Sequence, residues 1–370
     1  MSSVRRRLTI GSGVALVIGV CLLASGGDLN PPAGPVAPTM KSLDEMEPRI
    51  AVNAVNTPGD ANSIYKITQP GSYYLTGNVM GSVSHFGVEI SASGVTLDLN
   101  GYELVGVPGS LDGVTVPGGS LQNIIVRNGT VRGWGDHGVD LRAENVELAS
   151  INASDNGAGG IRLGDNSTAR DCRALNNSGI GITLGNTNTL TDSVSRENTA
   201  LGINANSDNC IITRCVTSNN QQGGISVGDA CQVIACVAAS NNGDGISATG
   251  VGALIADCTA MLNLGIGIWI SSDSRATNNI SHDNTGVGIW VDGSSNRIED
   301  NQCTDNGTGF FVNAAGNILR SNTCSGNTVN WNVAAGNVCL IVQAATAGAI
   351  LGNAGGTSPG ALIPDTNFTY

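Results

Sequence analysis

The stretch Gly202–Gly250, GINANSDNCIITRCVTSNNQQGGISVGDACQVIACVAASNNGDGISATG, carries one phrase three times. At Gly202, Gly224 and Gly245 a Gly is followed by Ile, a polar residue and a small apolar residue. The phrase continues outward, at Gly138, Gly160 and Gly181 before it and at Gly267, Gly288 and Gly309 after it, always 21 or 22 residues apart. The residue after each Gly is Val139, Ile161, Ile182, Ile203, Ile225, Ile246, Ile268, Ile289 or Phe310. Two further along come Leu141, Leu163, Leu184, Ala205, Val227, Ala248, Ile270, Val291 and Val312. Both columns are apolar and the position between them is mostly polar, the alternation of a strand with one face in a core. A unit this short buries its apolar face only by stacking on its neighbours, so the repeat predicts a solenoid.

A second column keeps the same register: Asn156, Asn177, Asn198, Asn220, Asn241, Asn263, Asn284, Asn306 and Asn327. Asn tolerates the left-handed backbone of a sharp corner, and stacked amides both donate and accept, so these residues are expected to form a structural ladder. Each coil holds a further apolar segment before its Asn, such as Ile211-Ile212-Thr213-Arg214-Cys215-Val216. Looser coils precede at Val88-Glu89-Ile90 and Val114-Thr115-Val116. Leucine-rich repeats share an Asn ladder, but this chain is poor in Leu and has no helical segment per unit. A six-residue period and a Gly-Gly-x-Gly-x-Asp calcium repeat are both absent. Coil length and three short strands per turn fit an all-β, single-stranded, right-handed parallel β-helix with N- and C-terminal caps. About eleven coils are expected, in a stack ~50 Å long.

At these Gly-led, Asn-closed coils the chain resembles the pectate-lyase-like superfamily. Ile67-Thr68-Gln69-Pro70-Gly71-Ser72-Tyr73-Tyr74-Leu75-Thr76-Gly77-Asn78, followed by Gly94-Val95-Thr96-Leu97-Asp98-Leu99-Asn100-Gly101, is similar to a group of bacterial β-helix repeat proteins of unassigned function. The resemblance implies a fold rather than an activity. It also implies where a site would sit: enzymes of the superfamily use the outward face of the first sheet.

The ends read differently. Arg5, Arg6 and Arg7 precede the apolar run Val14 to Ala24, the pattern of an export signal over residues 1–25, and that run is too short to span a bilayer. The tandem Arg match a twin-arginine signal only loosely, and Cys21 reads as an ordinary residue of the apolar run rather than a lipid anchor. Residues 26–39 form a Pro/Gly linker, 40–86 an N-terminal cap, 87–330 the β-helix, and 331–370 a C-terminal cap and tail. The chain is thus expected to be exported, to the periplasm, the cell surface or the medium. A net charge of −12, with only Lys41 and Lys66 as lysines, argues against nucleic acid or an anionic membrane as partner. Nine cysteines follow the signal. Cys172, Cys215, Cys236 and Cys258 share one column, Cys210 and Cys231 another, and Cys303 and Cys324 a third. Neighbours ~4.8 Å apart favour reduced core ladders over disulfides, and no His accompanies them as a metal ligand. Neither metal nor cofactor is expected.

The outward column of the first sheet reads Glu89, Thr115, Asp140, Arg162, Thr183, Asn204, Ser226, Ser247, Trp269, Trp290, Phe311. His137 stands near Asp140, with Arg162 one coil on and Asp112 one coil back. Imidazole, carboxylate and guanidinium around one groove suit proton abstraction beside a uronate carboxylate, so His137, Asp140 and Arg162 are the candidate catalytic residues. The bland alternative is an Asp140–Arg162 ion pair beside an exposed turn histidine. His85 and His282 have no evident partners. The chain lacks the neighbouring carboxylates of pectate lyases and the Asp and Arg-Ile-Lys elements of polygalacturonases. Glu89 and Asp140, two coils apart, are too distant for a hydrolytic pair. Trp269, Trp290 and Phe311 form a strip that either stacks on sugar rings or is covered by the tail with Phe368 and Tyr370. The sequence therefore supports an exported carbohydrate-binding or surface-structural β-helix, with a polysaccharide lyase or epimerase acting on a uronate-containing glycan as the alternative.

Overall fold

The computed structural model describes residues 48–118, 120–343, 349–352 and 366–370. The expected signal, the linker and the first part of the cap, through residue 47, lie outside them. The described residues from 48 onward form a parallel β-helix in which each regular coil contributes three short strands. Ile225–Val227, Gln232–Ile234 and Val237–Ala239 make one such coil. Their counterparts stack into a first sheet of 14 strands and into a second and third column of strands. Two long strands, Gln122–Arg132 and Glu144–Ser154, run through the second and third columns without a break. No helix among the described residues is long and apolar enough to cross a membrane.

The register follows the sequence columns: Ile203 pairs with Ile225, Ile225 with Ile246 and Ile246 with Ile268, all in parallel. The 14 first-sheet strands make about thirteen turns, more than the eleven expected. The additional coils come from segments taken as caps. Ser63–Ile67 and Gly71–Leu75 pair in parallel with Phe86–Ile90 and Val95–Asp98, so the Gln69-Pro70 bend is a coil corner. At the other end Ala349–Gly352 extends the first sheet beyond Val329–Val333.

Three corners per coil share one construction. In the coil after Ile203, Asn209, Arg214 and Asn219 lie in the left-handed region with φ of 59°, 52° and 55°. Their successors Cys210, Cys215 and Asn220 point inward and are at most 1% exposed. The expectation that the ladder Asn residues themselves adopt the left-handed backbone is thus corrected: the preceding residue does, among them Asp155, Asn176, Glu197 and Leu262. That residue turns the chain, and its successor is aimed at the core.

A residue at such a corner has an N–H facing the next coil, and the successor's side chain there accepts it. Asn198 N–H and Nδ2 both donate to Asn220 Oδ1, at 3.1 and 3.0 Å, and Asn220 donates likewise to Asn241. The second corner does the same with mixed residues. Cys215 N–H donates to Cys236 Sγ, Cys258 N–H to Asn279 Oδ1, and Asn279 N–H to Asn301 Oδ1. At the third corner Cys210 N–H donates to Cys231 Sγ, and Ser274 N–H to Asn296 Oδ1. The sequence reading found one Asn ladder; there are three, and in two of them Cys and Ser stand in for Asn as acceptors. The leading Gly of each unit answers to the same ladder. A Cβ at Gly245 would lie 2.6 Å from the Gly267 carbonyl oxygen and 2.7 Å from Asn263 Nδ2, so only Gly lets the strand start so close to the stacked amides.

The segment with Phe368 and Tyr370 does not return over the first sheet. Asn367–Thr369 inserts in the third column between Thr323–Ser325 and Ile341–Gln343, where Asn367 Oδ1 accepts from Asn322 and prolongs its ladder. The exposed ring of Phe368 therefore lies on another face than the aromatic strip.

Removing a rung strands donors in a dry core, which costs about 1–3 kcal/mol per group. Asn220→Ala should lower the urea midpoint accordingly, whereas Cys236→Ser, which keeps an acceptor, should cost far less. Equal losses in the two variants would refute the acceptor role of the Cys rungs. All nine described cysteines are free and buried. Burial pushes the Cys172 thiol to about 11 and that of Cys339 to about 12. A thiol reagent should label none of the nine in the native protein and all of them in denaturant; a shortfall in denaturant would mean disulfides.

Candidate functional site

Pairing in the first sheet aligns Lys66, Glu89, Thr115, Asp140, Arg162 and Thr183 at successive coils, then Asn204, Ser226, Ser247, Trp269, Trp290 and Phe311. The column expected from the sequence is a line of neighbours on one face. Glu89 is committed to structure: Lys66 Nζ lies 2.7 Å from it, and Ser63 and Ser91 donate to its carboxylate.

Asp140 is buried, and its partner is Arg142 rather than Arg162. Arg142 Nε donates to Asp140 Oδ1 at 3.1 Å, and Nη2 lies 2.8 Å from Oδ2. Two residues on from Asp140, Arg142 reaches back over the same face, a contact that pairing by coil alone does not reveal. Burial raises the Asp140 pKa, against the pull of Arg142. His137 precedes the strand Val139–Leu141, and its N–H donates to Asp112 Oδ1 at 2.9 Å. Its Nδ1 stands 2.9 Å from Asp136 Oδ1 and 3.6 Å from Asp112 Oδ1. The Asp112 contact raises the imidazole pKa most, burial opposes it, and the charges of Asp136 and Asp140 add to the rise. Asp136, missed in the sequence reading, was visible only as the residue beside His137. The other histidines have local contacts, His282 with Asp283 and His85 with the Val83 carbonyl.

Among the described residues Asp112, Asp136 and His137 are a group whose donor atoms gather within 4.8 Å. Two carboxylates beside one imidazole attract a proton and a divalent cation alike, so this grouping alone assigns no metal. His137 instead borders a hollow of about 430 Å³ on the first sheet, shared with Arg162, Thr183 and Asn204. A second hollow of about 270 Å³ follows on the same face, lined by Leu201, Gln222, Ser226, Asp244 and Ser247. Past Ser247 the half-buried aromatics begin. Trp269 and Trp290 have centroids 6.0 Å apart, tilted by 30°, and Trp290 meets Phe311 edge-on at 5.3 Å. The two predicted clusters are thus the ends of one line. His137 and Arg162 lie together, and six coils separate Asp140 from Trp269, ~29 Å at the spacing of parallel strands.

Residues 199–354 match the family described as "Right handed beta helix region". The chain is a right-handed parallel β-helix. Among solved structures it is similar to the A-module of the Azotobacter vinelandii mannuronan C-5 epimerase AlgE6, with 14% identity over 81% of this chain and 89% of that one and a TM-score of 0.54. The periplasmic alginate epimerase AlgG gives 12% identity, coverage of 72% and 77%, and a TM-score of 0.40. A tailspike protein, gp49 of the Acinetobacter baumannii bacteriophage Fri1, titled a capsular polysaccharide depolymerase, gives 11% identity, coverage of 67% and 56%, and a TM-score of 0.41. At such identities the likeness carries the fold alone. No curated protein sequence matches the chain.

A raised imidazole pKa has a defined sign. The stabilisation is complete below the ordinary value of 6.5 and is lost as pH rises through the folded-state value. An NMR titration of His137 should give a midpoint above 6.5, and His137→Gln should flatten the fall in denaturation midpoint on the alkaline side. A midpoint below 6.5 would contradict the geometry.

Proposed function

We propose that this chain is an exported β-helix that binds an acidic polysaccharide along the outward face of its first sheet. The observation that carries the reading is the line itself. The His137 imidazole and the Arg162 guanidinium border one end, small polar side chains form the middle, and three aromatic rings stand at the other end. The Arg162 guanidinium suits a sugar carboxylate, the Thr, Asn and Ser side chains suit hydroxyls, and the rings suit the apolar faces of sugars. The mannuronan epimerase module shares the fold, but its substrate is not the argument; the groove is.

The alternative is a polysaccharide lyase or epimerase. It is favoured by one observation, that the His137 imidazole borders the same hollow as Arg162. Its neighbouring carboxylates raise the imidazole pKa, which suits it to proton exchange with a sugar ring carbon or its enolate. Asp140, buried and clamped by Arg142, is better suited to holding charge than to reaching substrate.

On a glycan array the wild type should bind uronate-containing glycans. Trp269→Ala/Trp290→Ala should weaken binding about tenfold or more, and Arg162→Ala should weaken acidic glycans selectively; each buried aromatic stack is worth about 0.5–1.5 kcal/mol. Retention by the double variant would exclude the strip. If polyuronates instead give unsaturated products or C-5 epimers, and His137→Ala abolishes them, the enzymatic reading replaces simple binding.

A further inference from the structure

From residue 215 to residue 370 the chain holds ten carboxylate side chains but only three Arg or Lys, namely Arg275, Arg297 and Arg320. All three meet at one place. They stand on neighbouring strands of the second column, Arg275–Thr277, Arg297–Glu299 and Ile318–Arg320, not on the sheet that carries the groove. Arg275 and Arg297 are direct partners in register, a like-charge pairing that destabilises a sheet unless it is offset. The offset is Glu299. Its Oε2 accepts from Arg275 Nη2 at 3.1 Å, and its Oε1 accepts from the Nε of both Arg297 and Arg320. The carboxylate is 2% exposed, while the Arg275 and Arg297 side chains above it are 53% and 48% exposed. Burial would raise the Glu299 pKa, but the guanidiniums hold it below the ordinary value.

Elsewhere Arg132, Arg142 and Arg214 are matched one to one with Glu103, Asp140 and Asp192, and where Asp98 takes two guanidiniums, from Arg49 and Arg127, Arg49 makes a further interaction and lies over the Tyr74 ring. Arg320 makes a further interaction and is left out of the count. Arg275 and Arg297 then share one negative charge. Each guanidinium has five donors in a planar fork, and each gives Glu299 only one of the bonds above. Two half-exposed forks fixed side by side over an internal carboxylate are a preorganised acceptor for a second anion, which would complete the charge balance.

We propose that Arg275 and Arg297, held by Glu299, form a binding site for a tetrahedral oxyanion, a sulfate or phosphate group. The group comes either from a free ion or from an ester on a polysaccharide, and the two sources separate experimentally. Thermal unfolding of the full chain is followed against sodium sulfate, sodium phosphate and sodium chloride at matched ionic strength, and binding to dextran sulfate is compared with binding to dextran. Sulfate and phosphate stabilise proteins generally by exclusion from the surface, so the signal is a saturable rise in Tm that chloride lacks. It should vanish in Arg275→Gln and in Arg297→Gln and persist in Arg170→Gln, a surface pair on an earlier coil. Glu299→Gln removes the internal competitor and should bind the anion several-fold more tightly. Should the Arg variants fail to fold, titration of the wild-type Arg Nε–H resonances with phosphate decides, since saturable shifts are expected. Saturation by dextran sulfate alone assigns an ester, and saturation by inorganic ions a free ion. A Tm rise that is linear in sulfate and equal in wild type and Arg275→Gln, or unshifted Arg resonances, overturns the proposal.

Discussion

The structure depends on the way a β-helix satisfies its corners. A coil of 21 or 22 residues must turn three times, and at each turn a backbone N–H leaves the strand ladder. In a dry core that group needs an acceptor. The solution recurs through the stack: one left-handed residue turns the chain, and the next side chain, where it is Asn, Ser or Cys, points inward to accept the N–H of the coil before it. Asn serves best because its amide also donates, which links carbonyl groups to the same stack. Ser and Cys also accept the N–H and donate to a carbonyl, but with a single hydrogen each. The buried Cys231, Cys236 and Cys258 are thus rungs that accept corner N–H groups, and Cys303 and Cys324 pair in register in the core.

This constraint reaches the outward face of the first sheet. Because ladders lock each coil to the next in register, an outward residue in one coil lies directly over its counterpart. A line of chemically graded side chains can then be written along the axis one coil at a time. The line from His137 to Phe311 runs from ionisable through small polar to aromatic side chains, each held in place by strand register.

Electrostatics follow a different logic. The buried carboxylates Glu89, Asp98, Asp140 and Glu299 all have cationic partners, as burial requires. Where the match is one to one, the pair is accounted for by the fold. Where several guanidiniums converge, at Asp98 and Glu299, one carboxylate is shared rather than matched.

The sequence by itself determined the coil period, the register, the inward and outward columns and the first Asn ladder, because in-register parallel stacking turns each sequence column into a spatial one. It also placed Trp269, Trp290 and Phe311 side by side. What only the tertiary structure decided does not repeat. Arg142 rather than Arg162 clamps Asp140, since a long flexible side chain chooses among partners within its reach. Asp136 joins His137 at a bend whose shape no period encodes. The left-handed residue precedes the ladder Asn, a one-residue offset invisible to a pattern that shifts both together. Asn367 enters a ladder 45 residues from Asn322, outside the coil spacing. Three arginines converge on Glu299 because strands of one column bring their outward faces together, and that meeting depends on where side chains reach, not on their spacing in the chain.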